Sequence, residues 1–394
     1  MQAQASARPV VTALLLLWLA GNCLRLTILA VPPVIARIRD DFGLSATEVG
    51  VLSSIPPALF AIASLAGSLL VARLGVNRAL AGGLLIVAAG SALRGFSNNY
   101  LVLCLTTVIM AAGVAVMQPI MPATVRQWVP DRIGLGTAVY TNGLLVGEVL
   151  PVMLTLPFVL PLSGGSWQVA LVLWSLPVAA IAAALYLRAP KLPSTHPARL
   201  VPVHWAPDWR SGLVWRLGLL FCCINAIYFS ANAFIPIYLA SKSRQDLIGP
   251  ALTALNFGQL PASLVLLAVA GKLERRAIAY IGSGVLSLLS VAGFTLMVGP
   301  VSTIVWSALL GCSDAAALIL GLTLPPLLCR PEDTARTSAG VFTLSYGGAV
   351  LIGIVSGGLW DLTGVPALAF LPLGLCASGL IAATLAMRAK KELR

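Results

Sequence analysis

The residue with the clearest chemical role in this sequence is Arg25, which lies near the middle of the first long apolar stretch. The nearest acidic residues, Asp40 and Asp41, are too far along the chain to neighbour it on a helix. A guanidinium inside a membrane is costly unless it meets a counter-charge or a wet cavity. Its planar fork can donate two hydrogen bonds to a carboxylate, a cyanate or a nitro group. Arg25 is therefore a candidate anion-binding residue, and a structural ion pair is the alternative.

Two acidic residues, Glu148 and Asp314, lie well inside other apolar stretches. Either one could be the partner of Arg25, and the sequence does not rank them. A carboxyl group in such surroundings can also exchange a proton with water. Both are therefore candidate proton-coupling residues.

Other polar side chains recur at helical spacing, which places each set on one face of a helix. The sets are Asn22 with Arg25, then Asn225, Tyr228 and Asn232, and then Asn256, Gln259 and Ser263, with Gln118, Tyr140 and Tyr346 as single candidates. Such a face should meet a substrate cavity or a partner helix, because unsatisfied amides are costly in hydrocarbon. Substrate binding and bonding between helices both stay open for these residues.

The sequence lacks the residue patterns of an enzyme or a metal centre. It has no nucleophile-and-base motif, no paired metal ligands and no glycine loop for nucleotide phosphates. The 7 cysteines lie in or at the ends of apolar stretches without metal-ligand spacing. No cofactor and no metal are expected, and ATP-driven pumping is disfavoured.

The elements that must position these residues are membrane spans. The chain is 59% hydrophobic and 10% charged, with a mean hydropathy of +0.95, which is far too apolar for a soluble domain. A helix of about 18 or more apolar residues can cross the hydrocarbon core. We predict twelve spans, at residues 10–36, 47–72, 79–96, 100–127, 134–160, 167–187, 214–239, 249–271, 277–298, 301–328, 338–358 and 366–387.

The two halves of the chain look alike. The basic turn from Arg73 to Arg78 after the second stretch recurs from Lys272 to Arg276 after the eighth. Duplicated six-helix halves are typical of transporters. The sequence therefore predicts an all-α membrane protein of twelve helices in two pseudo-symmetric six-helix bundles. The predicted parts are an N-terminal bundle at 1–187, a cytoplasmic linker at 188–213 and a C-terminal bundle at 214–394.

The positive charge of the chain follows this topology. The net charge is +12, but the cations are scattered singly through short loops, so nucleic acid is not an expected partner. With both termini cytoplasmic, most of the 25 Lys and Arg residues fall on the cytoplasmic side. Those on the opposite side are Arg37, Arg39, Arg94, Lys242 and Arg244. The positive-inside rule therefore predicts that orientation.

Several segments along the whole chain carry a resemblance to a known family. They are Asn22-Cys-Leu-Arg25, residues 31–39, Gly90-Ser-Ala-Leu-Arg94, residues 116–126, residues 131–140 and residues 166–177. With them the chain resembles a major facilitator superfamily transporter of the cyanate permease and nitroimidazole transporter-like branch. The resemblance implies two six-helix bundles, a central cavity that opens alternately to each side, and Arg25 as the first-helix arginine. The family's gating loop is matched at Arg73, Gly75 and Arg78, whereas Ala72 replaces its usual acidic residue.

Together these patterns favour a secondary active transporter for a small anion or anion-like compound, such as a cyanate-like ion, a carboxylate or a nitro compound. Proton-coupled efflux of cationic or neutral drugs is the alternative, with Glu148 or Asp314 as the cation site. The expected partners are a small anionic substrate, the lipid bilayer and a coupling proton, and the expected state is a monomer. The expected location is the bacterial inner membrane.

Overall fold

The structure is a computed structural model that describes residues 2–62, 74–190, 207–273, 275–297, 299–329 and 334–393. Within these ranges the regular structure is entirely helical. The α-helices are α1 (Gln2–Leu26), α2 (Ile35–Phe42), α3 (Ala46–Ile62), α4 (Val76–Arg94), α5 (Tyr100–Trp128), α6 (Ile133–Leu154), α7 (Leu160–Leu162), α8 (Trp167–Arg188), α9 (Gly212–Ser241), α10 (Ile248–Phe257), α11 (Gln259–Leu273), α12 (Ala277–Leu296), α13 (Pro300–Leu322), α14 (Leu324–Leu328), α15 (Thr334–Thr363) and α16 (Leu371–Ala389). Short 3-10 turns cover Pro32–Val34, Pro130–Arg132, Gln245–Leu247 and Pro366–Phe370, and a π-helical turn covers Thr155–Val159.

The helices match the predicted membrane spans, except that the first helix ends early and residues 63–72 of the second span lie outside the described residues. Among the described residues, 9 helical segments are long and apolar enough to cross a bilayer, judged by length and composition. Two shorter apolar helices, Val10–Leu26 and Ala46–Ile62, and the interrupted pair α10 and α11 complete the twelve expected segments. The all-α membrane architecture predicted from the sequence is therefore confirmed.

The first helix ends earlier than the predicted span of 10–36. Helix α1 stops at Leu26, a turn follows, and Pro32 then opens a 3-10 turn before α2. Proline lacks the N–H that a continuing helix needs, and it disfavours the helical conformation of the residue before it. Because Pro32 is followed by Pro33, two successive backbone donors are missing. The early end places Arg25 in the last turn of α1.

The chain divides into two compact units. Unit 1 contains Met1–Val34 and Ile62–Val203, and unit 2 contains Ile35–Ala61 and His204–Arg394. In unit 1, α1 packs on α6, and α4 packs on α5 and α8. In unit 2, α9 packs on α15 and α16, and α12 packs on α13. Most of the predicted 188–213 linker lies outside the described residues, and the domain boundaries at 187 and 214 stay a prediction.

Helix α3 lies close against α15 within unit 2. A Cβ atom on Gly50 would lie 2.6 Å from the carbonyl oxygen of Gly353, and one on Gly357 would lie 2.6 Å from the Cα of Thr47. The Ser54 hydroxyl donates to the carbonyl of Val350 at 3.4 Å. Small residues on both helices therefore allow the two backbones to approach closely, as is common between membrane helices.

The N-terminus of α3 is capped by a carboxylate from the end of α15. Asp361 accepts hydrogen bonds from the backbone N–H of Ala46 at 2.8 Å and of Thr47 at 2.7 Å, and a further one from the Thr47 hydroxyl. The first N–H groups of a helix have no partner within the helix itself. Asp361 supplies those partners and adds a negative charge at the positive end of the helix dipole.

Replacing Asp361 by alanine should therefore lower the free energy of unfolding by about 1 to 2 kcal/mol, the usual range for a lost helix cap. The measurement is the melting temperature of the purified protein. Asp246→Ala is the matched control, because Asp246 is exposed, contacts Arg244 and caps no membrane helix. Equal melting temperatures for the Asp361 variant and the parent protein would contradict the capping role.

Candidate functional site

Arg25 and Glu148 form an ion pair inside unit 1. The Arg25 Nε lies 3.1 Å from Glu148 Oε1, and the pair joins α1 to α6. Both residues are buried, with 8% and 4% of their surface exposed. Breaking a buried ion pair is strongly destabilising, because the remaining charge is left uncompensated. Of the two carboxylates that the sequence offered, Glu148 is the one that the structure places beside Arg25.

Three glycines bring α1 and α6 into backbone contact around this pair. They are Gly21 on α1, and Gly143 and Gly147 on α6. A Cβ atom on any of the three would collide with a carbonyl oxygen of the facing helix. Backbone atoms cannot move aside as a flexible side chain can, so only glycine fits at these positions. The close approach fixes the positions along α1 and α6 at which Arg25 and Glu148 face each other.

The other predicted site residues of unit 1 lie on three different helices. Asn22 is buried on α1, Tyr140 is half-buried on α6, and Gln118 is half-buried on α5, which also packs on α1. Within the described part of the chain, the Gln118 Nε2 is a buried donor without a hydrogen-bond partner. Buried polar donors normally have a partner, so this amide is a good candidate for contact with a ligand.

In unit 2 the predicted polar residues of α9 and α10 bond to one another. The Tyr228 hydroxyl donates to Asn256 Oδ1 at 2.9 Å, Asn256 Nδ2 donates to Asn232 Oδ1 at 3.0 Å, and Asn232 Nδ2 donates to the Tyr228 carbonyl at 3.0 Å. Asn225 Nδ2 donates separately to the Ser345 hydroxyl on α15 at 2.8 Å. Bonding between helices is therefore one role of this stripe, and substrate contact stays a prediction.

The stripe predicted along the eighth span is interrupted. Asn256 lies on α10, whereas Gln259 begins α11 and Ser263 follows on it, so the three do not share one continuous helix. The break falls at Gly258, where a Cβ atom would collide with the Ala308 carbonyl of α13. Pro261 contributes as well, because it cannot donate the backbone bond that a helix through Gly258 would need.

Tyr346 lies among three phenylalanines of unit 2. Its ring centroid is 5.4 Å from that of Phe60, 6.0 Å from that of Phe342 and 6.3 Å from that of Phe229. Such distances are typical of interacting aromatic rings. The residue is 8% exposed and joins α15 to α3 and α9. The sequence identified Tyr346 as a candidate but did not predict the aromatic cluster around it.

The remaining predicted residues lie apart from the ion pair. Asp314 is buried on α13 of unit 2, next to a Ser287–Ser313 hydroxyl contact of 2.8 Å. In the gating loop, Gly75 has a φ of +75° and Arg78 is exposed, while Arg73 lies outside the described residues. Across the part of the chain that the structure describes, no group of three or more His, Cys, Asp or Glu residues could hold a metal ion.

The burial of Arg94 was not predicted. The sequence pattern assigned Arg94 to the outer end of a span, yet the residue is fully buried in unit 1. The burial of Arg94 could have been inferred from the predicted span 79–96, because that span contains Arg94 among apolar residues.

The fold and the buried charges define the class of protein. Twelve apolar helical segments among the described residues, with an ion pair buried between two of them, are typical of a membrane transporter. The family model of the Major Facilitator Superfamily matches residues 17–245, and the chain belongs to that superfamily. It is therefore a multi-pass membrane transporter and not an enzyme.

Relatives of known name agree with this assignment. The chain is 28% identical over 376 residues to the 2-nitroimidazole transporter of Escherichia coli, covering 91% of this chain and 93% of the relative. It is 27% identical over 314 residues to the cyanate transport protein CynX of Escherichia coli, covering 79% and 80%. The fold is similar to the crystal structure of a D-xylose-proton symporter, with a TM-score of 0.78 at 13% identity over 95% and 96% of the two chains. The resemblance to the cyanate permease and nitroimidazole transporter-like branch is thereby confirmed.

Proposed function

We propose that this chain is a secondary active transporter that moves a small anion or anion-like compound across the bacterial inner membrane by rocker-switch alternating access. The observation that carries this proposal is the buried guanidinium of Arg25, paired with Glu148 at 3.1 Å in unit 1. Charged residues inside spans are costly and commonly mark the path of a substrate or ion.

The pair itself provides a mechanism for binding. A guanidinium has five N–H donors in a planar fork, so bonding to Glu148 through Nε is compatible with donation to a second acceptor. A substrate carboxylate, cyanate or nitro group would compete with the Glu148 carboxylate for the same positive charge. Protonation of Glu148 would remove that competition. Anion binding at Arg25 and proton uptake at Glu148 would then favour each other, as in symport.

The names of the relatives support this choice of substrate. A nitroimidazole and cyanate are both small, and each presents lone-pair acceptors to which arginine can donate hydrogen bonds. In unit 1, the Gln118 amide is a second candidate donor, with Asn22 and Tyr140 as further candidates. The candidates in unit 2 are Asn225, Tyr228, Asn232, Asn256, Gln259 and Tyr346, with Asp314 as the second candidate for proton coupling.

The test is binding and uptake by the purified protein. Thermal-shift measurements with cyanate, small carboxylates, 2-nitroimidazole and a cationic drug should show stabilisation by the anionic or nitro compounds, because a ligand of the folded state raises its stability. Uptake of the stabilising compound into proteoliposomes should increase with an inward proton gradient, and Glu148→Gln should abolish that dependence. Stabilisation by the cationic drug alone would overturn the proposal and favour proton-coupled drug efflux.

We also infer that both termini and the 188–213 connector lie on the cytoplasmic side, since most of the Lys and Arg residues fall there. Single cysteines at Ser45 and Ser211, placed in a chain without its native cysteines, should differ in labelling by an impermeant maleimide in intact cells. The cysteine at position 45 should react from outside, and the one at 211 only after lysis. The reverse pattern would invert the topology.

A further inference from the structure

Two tryptophans lie exposed at the start of α9. The Trp215 indole Nε1 donates to the Trp209 carbonyl at 2.9 Å, and the two ring centroids are 6.3 Å apart. Trp209 is 45% exposed and Trp215 is 54% exposed. The Trp215 N–H thus has a backbone partner, while much of the apolar surface of both indoles stays open. Such tryptophans are enriched where a membrane protein meets the boundary between lipid chains and headgroups.

The length of α9 places these indoles at that boundary. The helix has 30 residues, which span about 45 Å, whereas the hydrocarbon core of a bilayer is about 30 Å thick. Between Arg216 and Lys242 the chain has no charged residue, so the fully apolar part of α9 begins directly after Arg216. Trp215 and Arg216 therefore lie at the depth of the lipid headgroups.

The end of α16 is joined to the start of α9 by an ion pair. Arg216 donates to both carboxylate oxygens of Glu392, through Nε at 3.0 Å and also through Nη2. Lys391 has a φ of +61°, and the backbone N–H of Glu392 donates to the Met387 carbonyl at 3.0 Å, so the chain turns back at the end of the helix. Leu393 is then buried. The last turn of α16 is thereby held beside the start of α9.

The charge at this end of unit 2 is positive. The segments 208–216 and 388–393 carry five cations and two carboxylates, a net charge of +3. One carboxylate, that of Glu392, is engaged in the ion pair, and the other, that of Asp208, accepts a hydrogen bond from the Arg210 backbone N–H at 3.2 Å. The cations outside the ion pair are exposed, and they are Arg210, Arg388, Lys390 and Lys391. Exposed cations beside exposed indoles suit a ligand that has a negative headgroup and an apolar chain.

We propose that this end of unit 2 binds the headgroups of anionic phospholipids. The surface consists of Trp209, Arg210, Trp215, Arg388, Lys390 and Lys391. Its guanidinium and ammonium groups would bind the lipid phosphate, and its indoles would pack on the first carbons of the acyl chains. A soluble phosphate compound would leave the indoles uncovered, so the apolar rings favour a phospholipid. The bound lipid would bridge the start of α9 and the end of α16.

The experiment uses the full-length protein in phosphatidylcholine bilayers that contain brominated phosphatidylglycerol. Bromine on an acyl chain quenches indoles that it contacts. The part of the quenching that is lost in a Trp209→Phe, Trp215→Phe double variant therefore reports this surface. From that part, the affinity for phosphatidylglycerol should exceed that for brominated phosphatidylcholine about 5-fold or more, because a single cation near an anionic lipid accounts for such a factor.

Neutralising the end of α16 should remove most of this preference. The variant replaces Arg388, Lys390 and Lys391 together by glutamine, and it is measured in the same way. Exchanging the same three residues between arginine and lysine should keep the preference, because the charge remains. A matched control replaces three exposed cations elsewhere by glutamine and should also keep it. These cations are Arg78, Arg132 and Arg276.

Three results would overturn the proposal. The first is equal quenching of Trp209 and Trp215 by brominated phosphatidylglycerol and brominated phosphatidylcholine in the parent protein. The second is a preference that survives the three glutamine substitutions at the end of α16. The third is displacement of the phosphatidylglycerol by glycerol phosphate at constant ionic strength, which would assign the surface to a soluble phosphate compound.

Discussion

Replacing Arg25 by alanine is expected to lower the free energy of unfolding by about 3 to 5 kcal/mol, because the change leaves the buried Glu148 carboxylate without its counter-charge. Substrate binding should be lost in the same variant. Arg25→Lys should keep more of the stability, since an ammonium still compensates Glu148, but it should bind little substrate because the planar fork is gone. Melting temperature and ligand affinity, measured on the same preparations, separate the two effects.

A double variant separates the effect of the ion pair on stability from the effect of Arg25 on substrate binding. Combining Arg25→Ala with Glu148→Gln should restore part of the lost stability, because a neutral amide needs no counter-charge, while substrate binding stays absent. Arg188→Ala is the control, since it removes an exposed arginine of the same unit. An Arg25→Ala protein with the parent's melting temperature would show that the ion pair contributes no stability. If that protein also kept its ligand affinity, Arg25 would not be the anion-binding residue.

Substituting alanine for Gly147 is expected to cost about 2 to 3 kcal/mol, although it adds a single methyl group. A Cβ atom at this position would collide with the carbonyl oxygen of Asn22, so α1 and α6 would have to separate. Glu148 is the next residue, and its 3.1 Å contact with Arg25 crosses the same helix interface. The variant should therefore lose both stability and substrate affinity, as measured by melting and by ligand titration.

Gly82→Ala is the matched control for this change. Gly82 also lies inside a helix of unit 1, but a Cβ atom there would meet nothing within 4 Å. Alanine is the better helix former by about 1 kcal/mol, so the control should be neutral or slightly stabilising. If Gly147→Ala behaved like the control, the close approach of α1 and α6 would not be needed for stability.

The membrane segments could be predicted from the sequence because the bilayer imposes a length on every apolar helix. The ion pair could be predicted only as one of two choices, since sequence distance does not reveal which helix faces Arg25. The glycines of α6 bring Glu148 next to Arg25. Their effect depends on the facing backbone of α1, which cannot be inferred from the sequence. The break at Gly258 could not be predicted for the same reason, because it depends on contact with α13.

The contact between α3 and α15 was equally inaccessible to the sequence analysis. A span that precedes the linker by more than a hundred residues is naturally assigned to the N-terminal bundle. In the structure, residues 35–61 belong to unit 2, and Asp361 binds the first N–H groups of α3. Neither Gly50 nor Asp361 stands out in an apolar sequence, because each matters only through its partner.

The early end of α1 has an electrostatic consequence. The aligned peptide dipoles of a helix place a partial negative charge at its C-terminus, and Arg25 lies in that last turn. The dipole therefore lowers the cost of holding a cation there, in addition to what Glu148 contributes. Had α1 run on to residue 36, Arg25 would lie in mid-helix, beyond the reach of that field. The proline pair at 32 and 33 prevents that longer helix. It therefore keeps Arg25, two turns upstream, near a helix C-terminus.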